Sequence, residues 1–296
     1  MRKRPKFKLR LPSRALILGE RTLLMGVLNV TPDSFSDGGK FLDPQQAVDH
    51  ALEMERQGAD LLDLGGESTR PGSTGTSADA ELARIVPVLE GLRGRVKIPI
   101  SVDTRKAEVA EAAIVVGAEI INDVSGLKND PRIAEVAARH GVPLILMHMR
   151  GEPRTMQRAP FAREVMKDVK SGLRASIAIA RKAGVRKSQI VIDPGIGFGK
   201  SFEQNYELLR RLPEIAKLGY PLLVGTSRKG FLGATLVKDG RPAPPGERMW
   251  ATAATVTASI LSGAHIVRVH DVAEMVLVAR ASDNVLGAPR NAWLRR

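Results

Sequence analysis

The chain alternates between short apolar runs and longer amphipathic stretches from residue 24 to residue 286. The short runs are rich in Val, Ile and Leu and lack polar alternation, which is typical of strands buried on both faces of a parallel sheet. They lie at 24–28, 60–64, 98–102, 119–122, 143–147, 189–192, 221–224 and 266–269. The pattern therefore predicts eight parallel strands.

The stretches between these runs have the apolar period of helices. In the first stretch, Ala47, Ala51 and Met54 recur at i, i+4 and i+7, which places them on one helix face. Asp43 and Pro44 have the order of an N-cap residue followed by a helix-starting proline. The sequence therefore predicts a helix after each strand.

Eight strand–helix units in about 263 residues give about 33 residues per unit, the size of a βα repeat. Because the crossovers are right-handed, eight units in series can close into a barrel. The alternative is a doubly wound open sheet, which usually carries GxGxxG after its first strand, whereas residues 24–29 run into Val-Thr-Pro. We predict an α/β fold: a single-domain (β/α)8 TIM barrel over residues 15–289, with a hairpin at 15–25 closing its bottom.

Positive charge is concentrated at the two ends of this 296-residue chain, which has a net charge of +13. Residues 1–21 carry eight Lys and Arg against one Glu, and residues 290–296 carry three Arg. We therefore expect a basic N-terminal extension at 1–14 and a basic C-terminal tail at 290–296. With eleven aromatic residues and no motif that reads nucleic acid, a specific nucleic-acid partner is not expected.

Composition excludes several other classes of protein. The chain has no cysteine, which excludes disulfide scaffolds, thiolate metal sites and a cysteine nucleophile. No apolar run approaches the roughly 18 residues of a membrane span. The basic start contains only residues 15–18 as an apolar stretch, too short for a signal-peptide core. We expect a soluble cytoplasmic protein without a membrane partner.

Nearly every predicted strand ends at a polar side chain. These residues are Asn29, Asp63, Asp103, Asn122, His148, Asp193, Ser227 and Arg268. In a barrel the carboxyl ends of the strands meet at one face, where enzymes of this fold place their sites. One polar residue at a strand end can simply cap the next helix. Eight together, several of them charged, are costly to bury without a ligand and so predict a site.

The chemistry of these residues indicates two kinds of recognition. Asp103, Asn122 and Asp193 match a flat heterocycle rich in donors, such as a 2-aminopyrimidinone. Arg268 and His270 alternate along a strand and precede a helix start, which favours an anion site. We expect the carboxylates in one sector of the cavity and the anion site in another.

Some residues of the same loops have simpler interpretations. We expect Asp63 and Asp123 to be capping or supporting groups, and Lys200 to face solvent or to bond locally. The segment 195–201 resembles a phosphate-binding Walker A loop, but Pro194 stands at its first glycine position. The five histidines show no zinc-binding spacing.

Eight motifs, one per strand end and in the right order, resemble those of the dihydropteroate synthase family of pterin-binding barrels. They are LNVTPDSFSDGG (28–39), GGESTRPGS (65–73), SVDT (101–104), INDVSG (121–126), LMHMRG (146–151), DPGIGFGK (193–200), SRK (227–229) and RVH (268–270). The resemblance spans residues 24–286. It implies a transferase of folate biosynthesis that joins (7,8-dihydropterin-6-yl)methyl diphosphate to 4-aminobenzoate, releasing diphosphate and giving 7,8-dihydropteroate.

The resemblance also implies roles for individual residues. Those implied to hold the pterin are Asp103, Asn122, Met147, Asp193 and Lys229. Those implied to bind the diphosphate are Asn29, Arg268 and His270, with Asn29 also ligating Mg2+. Those implied to form the aminobenzoate pocket are Phe35, Thr69, Arg70, Pro71, Phe198 and Ser227. The implied catalytic residues are Asp103, Asp193, Lys229, Arg268 and His270, and the implied assembly is a homodimer.

This assignment of separate residues to the pterin and to the diphosphate suits a reaction in which the carbon–oxygen bond to diphosphate breaks before the amine attacks. Mg2+, Arg268 and His270 are expected to stabilise the leaving diphosphate, and Asp103 and Asp193, as carboxylates, the positive charge on the ring. Two alternatives remain open. One is a pterin-binding methyltransferase barrel that uses methyltetrahydrofolate, and the other is a non-catalytic pterin-binding protein.

Overall fold

The computed structural model describes residues 4–31, 43–70, 72–157, 161–237 and 239–293. Two short strands, β1 (Phe7–Arg10) and β2 (Ala15–Leu18), form a small sheet of their own. They are followed by eight strands that form a second sheet. These eight are β3 (Leu23–Asn29), β4 (Leu61–Gly65), β5 (Ile100–Asp103), β6 (Ile120–Asp123), β7 (Leu144–Met147), β8 (Ile190–Asp193), β9 (Leu223–Val224) and β10 (Ile266–Val269). The eight-strand prediction is confirmed.

The eight strands form a closed ring. They pair in parallel in the spatial order β8-β7-β6-β5-β4-β3-β10-β9. A parallel bridge between Ile192 and Leu222 joins β8 to the residue before β9 and closes the circle. The chain therefore forms the predicted (β/α)8 barrel and not an open sheet.

Helices surround the barrel. In the described residues they are α1 (Pro44–Gln57), α2 (Ala78–Leu92), α3 (Ala107–Val116), α4 (Arg132–His140), α5 (Val165–Lys182), α6 (Phe202–Arg210), α7 (Leu212–Ala216), α8 (Gly230–Thr235), α9 (Met249–Leu261) and α10 (Val272–Val285). The predicted start of α1 is confirmed, because the Asp43 side chain accepts a hydrogen bond from the Gln45 backbone amide. Across the described ranges, we find no helix with the length and apolarity to cross a membrane. A cytoplasmic location stays a prediction.

Side chains along each strand alternate between the barrel interior and the surrounding helices. Leu62 and Leu64 belong to the core between sheet and helices. Met25, Leu61 and Ile120 belong to a second apolar cluster, which fills the interior and includes side chains of the N-terminal hairpin. The lower half of the barrel is therefore a mostly apolar packed core, and the charged and amide side chains of the strand ends lie above it.

The hairpin lies earlier in the sequence than predicted. Phe7–Arg10 pairs antiparallel with Ala15–Leu18, so the hairpin is not at 15–25 and its first strand lies inside the predicted extension 1–14. In β1, Leu9 is buried against the barrel bottom while Lys8 is exposed. Because Lys8 and Arg10 are charged and exposed, the sequence alone did not indicate that this segment is a strand with an apolar inner face.

Both ends of the described chain are bound to the barrel. Arg4 is buried, and its guanidinium donates to the Asp283 carboxylate at 2.5 Å and to the Thr22 hydroxyl at 2.6 Å. At the other end, the Trp293 ring lies between the guanidinium groups of Arg21 and Arg280, 4.7 and 5.4 Å from its centroid. The predicted tails are thus, in part, structural elements of the barrel.

Candidate active site

A cavity of about 890 Å³ opens at the carboxyl ends of the barrel strands. Twelve of the fourteen predicted site residues line it: Asn29, Thr69, Arg70, Asp103, Asn122, Met147, Asp193, Phe198, Ser227, Lys229, Arg268 and His270. The other two, Phe35 and Pro71, lie outside the described residues. The structure therefore brings residues from all parts of the chain around one cavity.

Strand alternation explains why these polar side chains face inward. Asn122 and Arg268 stand two residues beyond Ile120 and Ile266, whose side chains belong to the interior cluster. Residues two apart on a strand face the same side of a sheet. The register also pairs Asp103 with Asn122 on adjacent strands. The cavity floor is therefore the polar layer directly above the apolar interior.

Asp63 is the centre of a buried network on this floor. Its Oδ2 accepts hydrogen bonds from Arg268 Nε at 2.6 Å and from Asn122 Nδ2 at 2.9 Å. Arg268 Nη2 also donates to Asp103 Oδ2 at 3.0 Å. The expectation of separate carboxylate and cation sectors is therefore wrong for Arg268, which lies between two carboxylates. Of the two roles expected for Asp63, the supporting one is confirmed, because it holds both Arg268 and Asn122.

Burial changes the protonation of the two floor carboxyls. It raises the pKa of Asp103 to about 8, helped by the charge of Asp63 and opposed by that of Arg268. It raises the pKa of Asp193 to about 6, although the Gly195 amide donates to that carboxylate at 2.7 Å. At pH 7 Asp193 is therefore mostly ionised, and the hydrogen bond from Arg268 favours the ionised form of Asp103 against its burial. That both groups act as carboxylates stays a prediction.

His270 lies in the most cationic part of the cavity. Its Nδ1 is 3.0 Å from the Ser227 hydroxyl, which also accepts from the His270 backbone amide. Burial, together with the charges of nearby cations, lowers the pKa of His270 to about 3. These cations are Arg268, Arg228, Lys229 and Arg70. The imidazole is therefore neutral at pH 7, and the positive charge here comes from the other side chains.

Lys229 and Phe198 form a wall of the cavity beside its floor. Lys229 Nζ lies 3.9 Å from the centroid of the Phe198 ring. Burial, followed by the charge of Arg268, lowers the pKa of Lys229 to about 8. Met147 is buried in a small apolar cluster against which Phe198 packs. This wall offers apolar surface beside the carboxyl groups of the floor, as a flat aromatic ligand requires.

Lys200 does not face solvent. It is fully buried, and its Nζ donates to the backbone oxygens of His148 at 3.0 Å and Phe198 at 2.9 Å. The expectation of a local bond is correct, and that of a solvated side chain is wrong. By bonding the loop after β8 to the loop after β7, Lys200 fixes the segment that carries Phe198.

Asn29 is the candidate metal ligand. A Cβ built on Gly65 would lie 3.6 Å from Asn29 Oδ1 and 3.5 Å from Asp103 Cβ, so the amide oxygen and Asp103 flank this glycine. In the part of the chain that is described, no three His, Asp or Glu residues cluster as a metal site. Mg2+ commonly uses one or two protein oxygens together with substrate phosphates. The residues present therefore fit a metal that arrives with a phosphorylated substrate.

Comparisons with known proteins agree with this architecture. The family described as "Pterin binding enzyme" matches residues 25–270. The dihydropteroate synthase of Synechocystis sp. is 48% identical over 265 residues, covering 90% of each chain. That of Bacillus subtilis is 47% identical over 272 residues, covering 92% of this chain and 91% of that protein.

The chain is also similar to solved structures of dihydropteroate synthases. Xanthomonas albilineans dihydropteroate synthase with 4-aminobenzoic acid has a TM-score of 0.87 and 42% identity, covering 96% of this chain and 100% of that one. The same enzyme in complex with 7,8-dihydropteroate has a TM-score of 0.84 and 40% identity, covering 95% and 100%. The chain belongs to the pterin-binding enzymes and, within them, to the dihydropteroate synthases. The resemblance stated from the motifs is thereby confirmed over the methyltransferase and non-catalytic alternatives.

Proposed function

We propose that this chain condenses (7,8-dihydropterin-6-yl)methyl diphosphate with 4-aminobenzoate, giving 7,8-dihydropteroate and diphosphate in folate biosynthesis. The observation that carries the proposal is the composition of one cavity. Carboxyl and amide groups form its floor, an aromatic wall stands beside them, and cations surround His270. The cavity therefore has groups suited to bind a flat polar ring, an aromatic amine and a polyanion.

The floor is the proposed pterin site. Asp193, mostly ionised at pH 7, can accept hydrogen bonds from the amino and ring N–H groups of a pterin. Asn122 supplies an amide oriented by its bond to Asp63. Met147 offers an apolar face, and Lys229 a donor, beside the ring. Asp103 is placed to contact the remaining edge of the pterin ring.

The cationic part of the cavity is the proposed diphosphate site. Arg268 and His270 would contact the leaving group, and Asn29 would hold Mg2+ on it. When bound, the metal supplies charge neutralisation of the diphosphate oxygens. Arg268 also serves the floor, because its guanidinium is already bonded to Asp63 and Asp103. It therefore links the ring site to the leaving-group site.

The loop after β4 and the Phe198–Ser227 side of the cavity form the proposed aminobenzoate pocket. Thr69 and Arg70 line the cavity from that loop, and Arg70 brings a cation suited to a carboxylate. Phe198 offers an aromatic face. Phe35 and Pro71 stay predictions of the sequence for this pocket.

The proposed chemistry places charge where this chain can stabilise it. Loss of diphosphate leaves positive charge on the pterin, which the Asp193 carboxylate faces. A cationic ring also favours the ionised form of Asp103. Fixed groups of this kind typically contribute about 2.7–4 kcal/mol each to transition-state stabilisation. The neutral aromatic amine then attacks without needing a strong general base.

The direct test incubates the purified protein with the pterin diphosphate, 4-aminobenzoate and Mg2+. We expect diphosphate release that requires both organic substrates, together with equimolar 7,8-dihydropteroate. Release without aminobenzoate, or no release under any condition, would contradict the proposal.

We also propose that the enzyme is a homodimer, formed through the outer faces of α9 and α10. The helix α9 has no charged residue in its 13 positions, and Trp250 at its start is 83% exposed. The neighbouring α10 exposes Leu277 and Val285. The uncharged outer face of α9 and the exposed apolar side chains of α10 suit a self-complementary contact with a second copy.

Substitutions on this face test the dimer. Leu277→Glu is expected to give a monomer in light scattering. Val115→Glu, at a 69% exposed position on α3, is the control and should leave the dimer intact. A wild-type monomer at micromolar concentration would reject the proposed contact.

A further inference from the structure

A buried ionic cluster lies at the base of the loop that joins β4 to α2. The Glu67 side chain is only 3% exposed. Its Oε1 accepts from Arg105 Nη2 at 2.7 Å and from the Thr76 backbone amide at 3.2 Å, and its Oε2 accepts from Lys106 Nζ at 2.9 Å. We name these four residues the Glu67 clamp.

The Glu67 clamp ties both ends of one loop to the next loop of the barrel. Glu67 and Thr76 bracket residues 68–75, which include Thr69 and Arg70 of the cavity wall. Arg105 and Lys106 follow the floor residue Asp103 by two and three positions. The Glu67 carboxylate therefore fixes the position of the proposed aminobenzoate loop relative to the proposed pterin floor.

The packing below the clamp leaves the base of this loop little freedom. A Cβ on Gly66 would lie 2.8 Å from Cγ2 of Ile85, so the backbone lies directly on α2. The Gly66 oxygen accepts from Arg84 Nη1 at 2.7 Å. Lys106 Nζ also donates to Glu81 Oε2 at 2.5 Å, which joins the clamp to the first turn of α2.

The bonding of Glu67 indicates a fixed anion and not a proton carrier. Burial raises the pKa of its carboxyl, but the hydrogen bonds and charges of Arg105 and Lys106 outweigh burial and leave the pKa below its ordinary value. Both oxygens are occupied by donors. Removing the charge of Glu67 would take this carboxylate away from Arg105 and leave Lys106 paired with Glu81 alone, so it should release the loop.

We propose that Glu67 is a positioning residue for the second substrate: through Arg105, Lys106 and Thr76 it holds residues 68–70 in the geometry that receives the aromatic amine. The inference rests on the proposed function for the identity of that substrate. It predicts that loss of the clamp weakens recognition of 4-aminobenzoate while the floor still binds the pterin, because Asp103, Asn122 and Asp193 keep their own bonds.

The test is Glu67→Gln, which keeps the side-chain size and removes the charge. We expect the KM for 4-aminobenzoate to rise about tenfold or more, since each charge-assisted bond lost carries an effect of that order. The Kd of the pterin diphosphate, measured without aminobenzoate, should stay within about twofold of wild type, the size of effect expected where no contact changes. Backbone hydrogen exchange should rise in 68–76 and stay unchanged in 193–200.

Glu81→Gln is the matched control. It removes the other carboxylate bonded to Lys106 but leaves every bond that Glu67 accepts. It should alter thermal stability without raising the KM for aminobenzoate. Equal KM effects in both variants would show a general stability effect and overturn the positioning role.

Hydrogen exchange separates this inference from the proposed function. If wild type releases no diphosphate, the proposed function fails, and exchange in 68–76 still decides whether Glu67 holds the loop. If wild type is active and Glu67→Gln leaves exchange and the KM for aminobenzoate unchanged, the inference fails alone. A rise in pterin Kd equal to the rise in KM would also contradict it.

Discussion

Arg268 Nε and Asp63 Oδ2 lie 2.6 Å apart, although 205 residues separate them in the sequence. The Asp63 side chain is completely buried, and Arg268 is 20% exposed toward the cavity. The guanidinium that is proposed to meet the leaving diphosphate is therefore positioned by a carboxylate below the floor.

Replacing Asp63 with Asn should impair catalysis through Arg268 and Asn122. Losing one partner of a buried charge pair costs about 3–5 kcal/mol of folding stability. Because Arg268 also loses the carboxylate that orients it, kcat/KM should fall about 10²–10³-fold, the usual effect of losing a preorganised donor. Steady-state kinetics, with thermal unfolding alongside, measure this. The control is Asp60→Asn, which breaks the half-buried pair with Arg21 at the other end of β4. That variant should lose stability with kcat/KM near wild type, and equal kinetic losses in the two would contradict the assigned role.

Arg268→Lys should separate turnover from ring binding. Lysine keeps one positive charge for Asp63 and Asp103 but cannot form the same forked contact with an anion. We expect kcat to fall about 10²–10³-fold, the usual effect of losing a preorganised donor. Calorimetry should show affinity for a pterin without the diphosphate changed by less than about fivefold, a difference of about 1 kcal/mol. Parallel losses in both quantities would argue against a role at the leaving group.

Asp193→Asn should stabilise the fold at neutral pH while it lowers activity. The folded-state pKa of Asp193 is raised to about 6, so the folded state binds this proton more tightly than the unfolded chain. The ionised carboxyl therefore reduces stability progressively from about pH 4, the unfolded value, to about pH 6. Urea unfolding should show the variant more stable by about 1–3 kcal/mol at pH 7, with little difference at pH 4. A destabilised variant at pH 7 would contradict the raised pKa.

Arg4→Met should destabilise the protein without altering the cavity. It leaves Asp283 buried without its cation, at a cost of about 3–5 kcal/mol. Lys8→Met, on the exposed face of β1, is the control and should change the free energy of unfolding by less than about 0.5 kcal/mol. Urea unfolding measures both. For the same reason, deleting residues 1–14 should destabilise the protein, because β1 and Arg4 are part of the barrel base.

The barrel itself was predictable because each buried strand is a continuous apolar run. The inward direction of Asn122 and Arg268 also follows from alternation along their strands. By contrast, the bond between Asp63 and Arg268 depends on ring closure, which brings together strands from opposite ends of the chain. No local pattern reports such a contact, so the sequence leaves open whether Asp63 caps a helix or supports the site.

The exposure expected for Lys200 and the extension expected at residues 1–14 differ from what the structure shows. Lys200 is a charged residue beside glycines, which usually indicates solvent exposure, yet backbone oxygens of two loops satisfy its buried ammonium group. In β1, Lys8 and Arg10 alternate with apolar residues, and their charge suggested an extension instead of a strand. In both cases at least one deciding contact, such as that of Lys200 with the His148 oxygen, comes from a distant part of the sequence.

A crystal structure with the pterin diphosphate and Mg2+ bound would test the proposed site directly. We expect the pterin ring between Asp193 and Asn122, with the diphosphate against Arg268 and His270 and the metal on Asn29. A ring bound outside this floor, or a diphosphate far from Arg268, would contradict it.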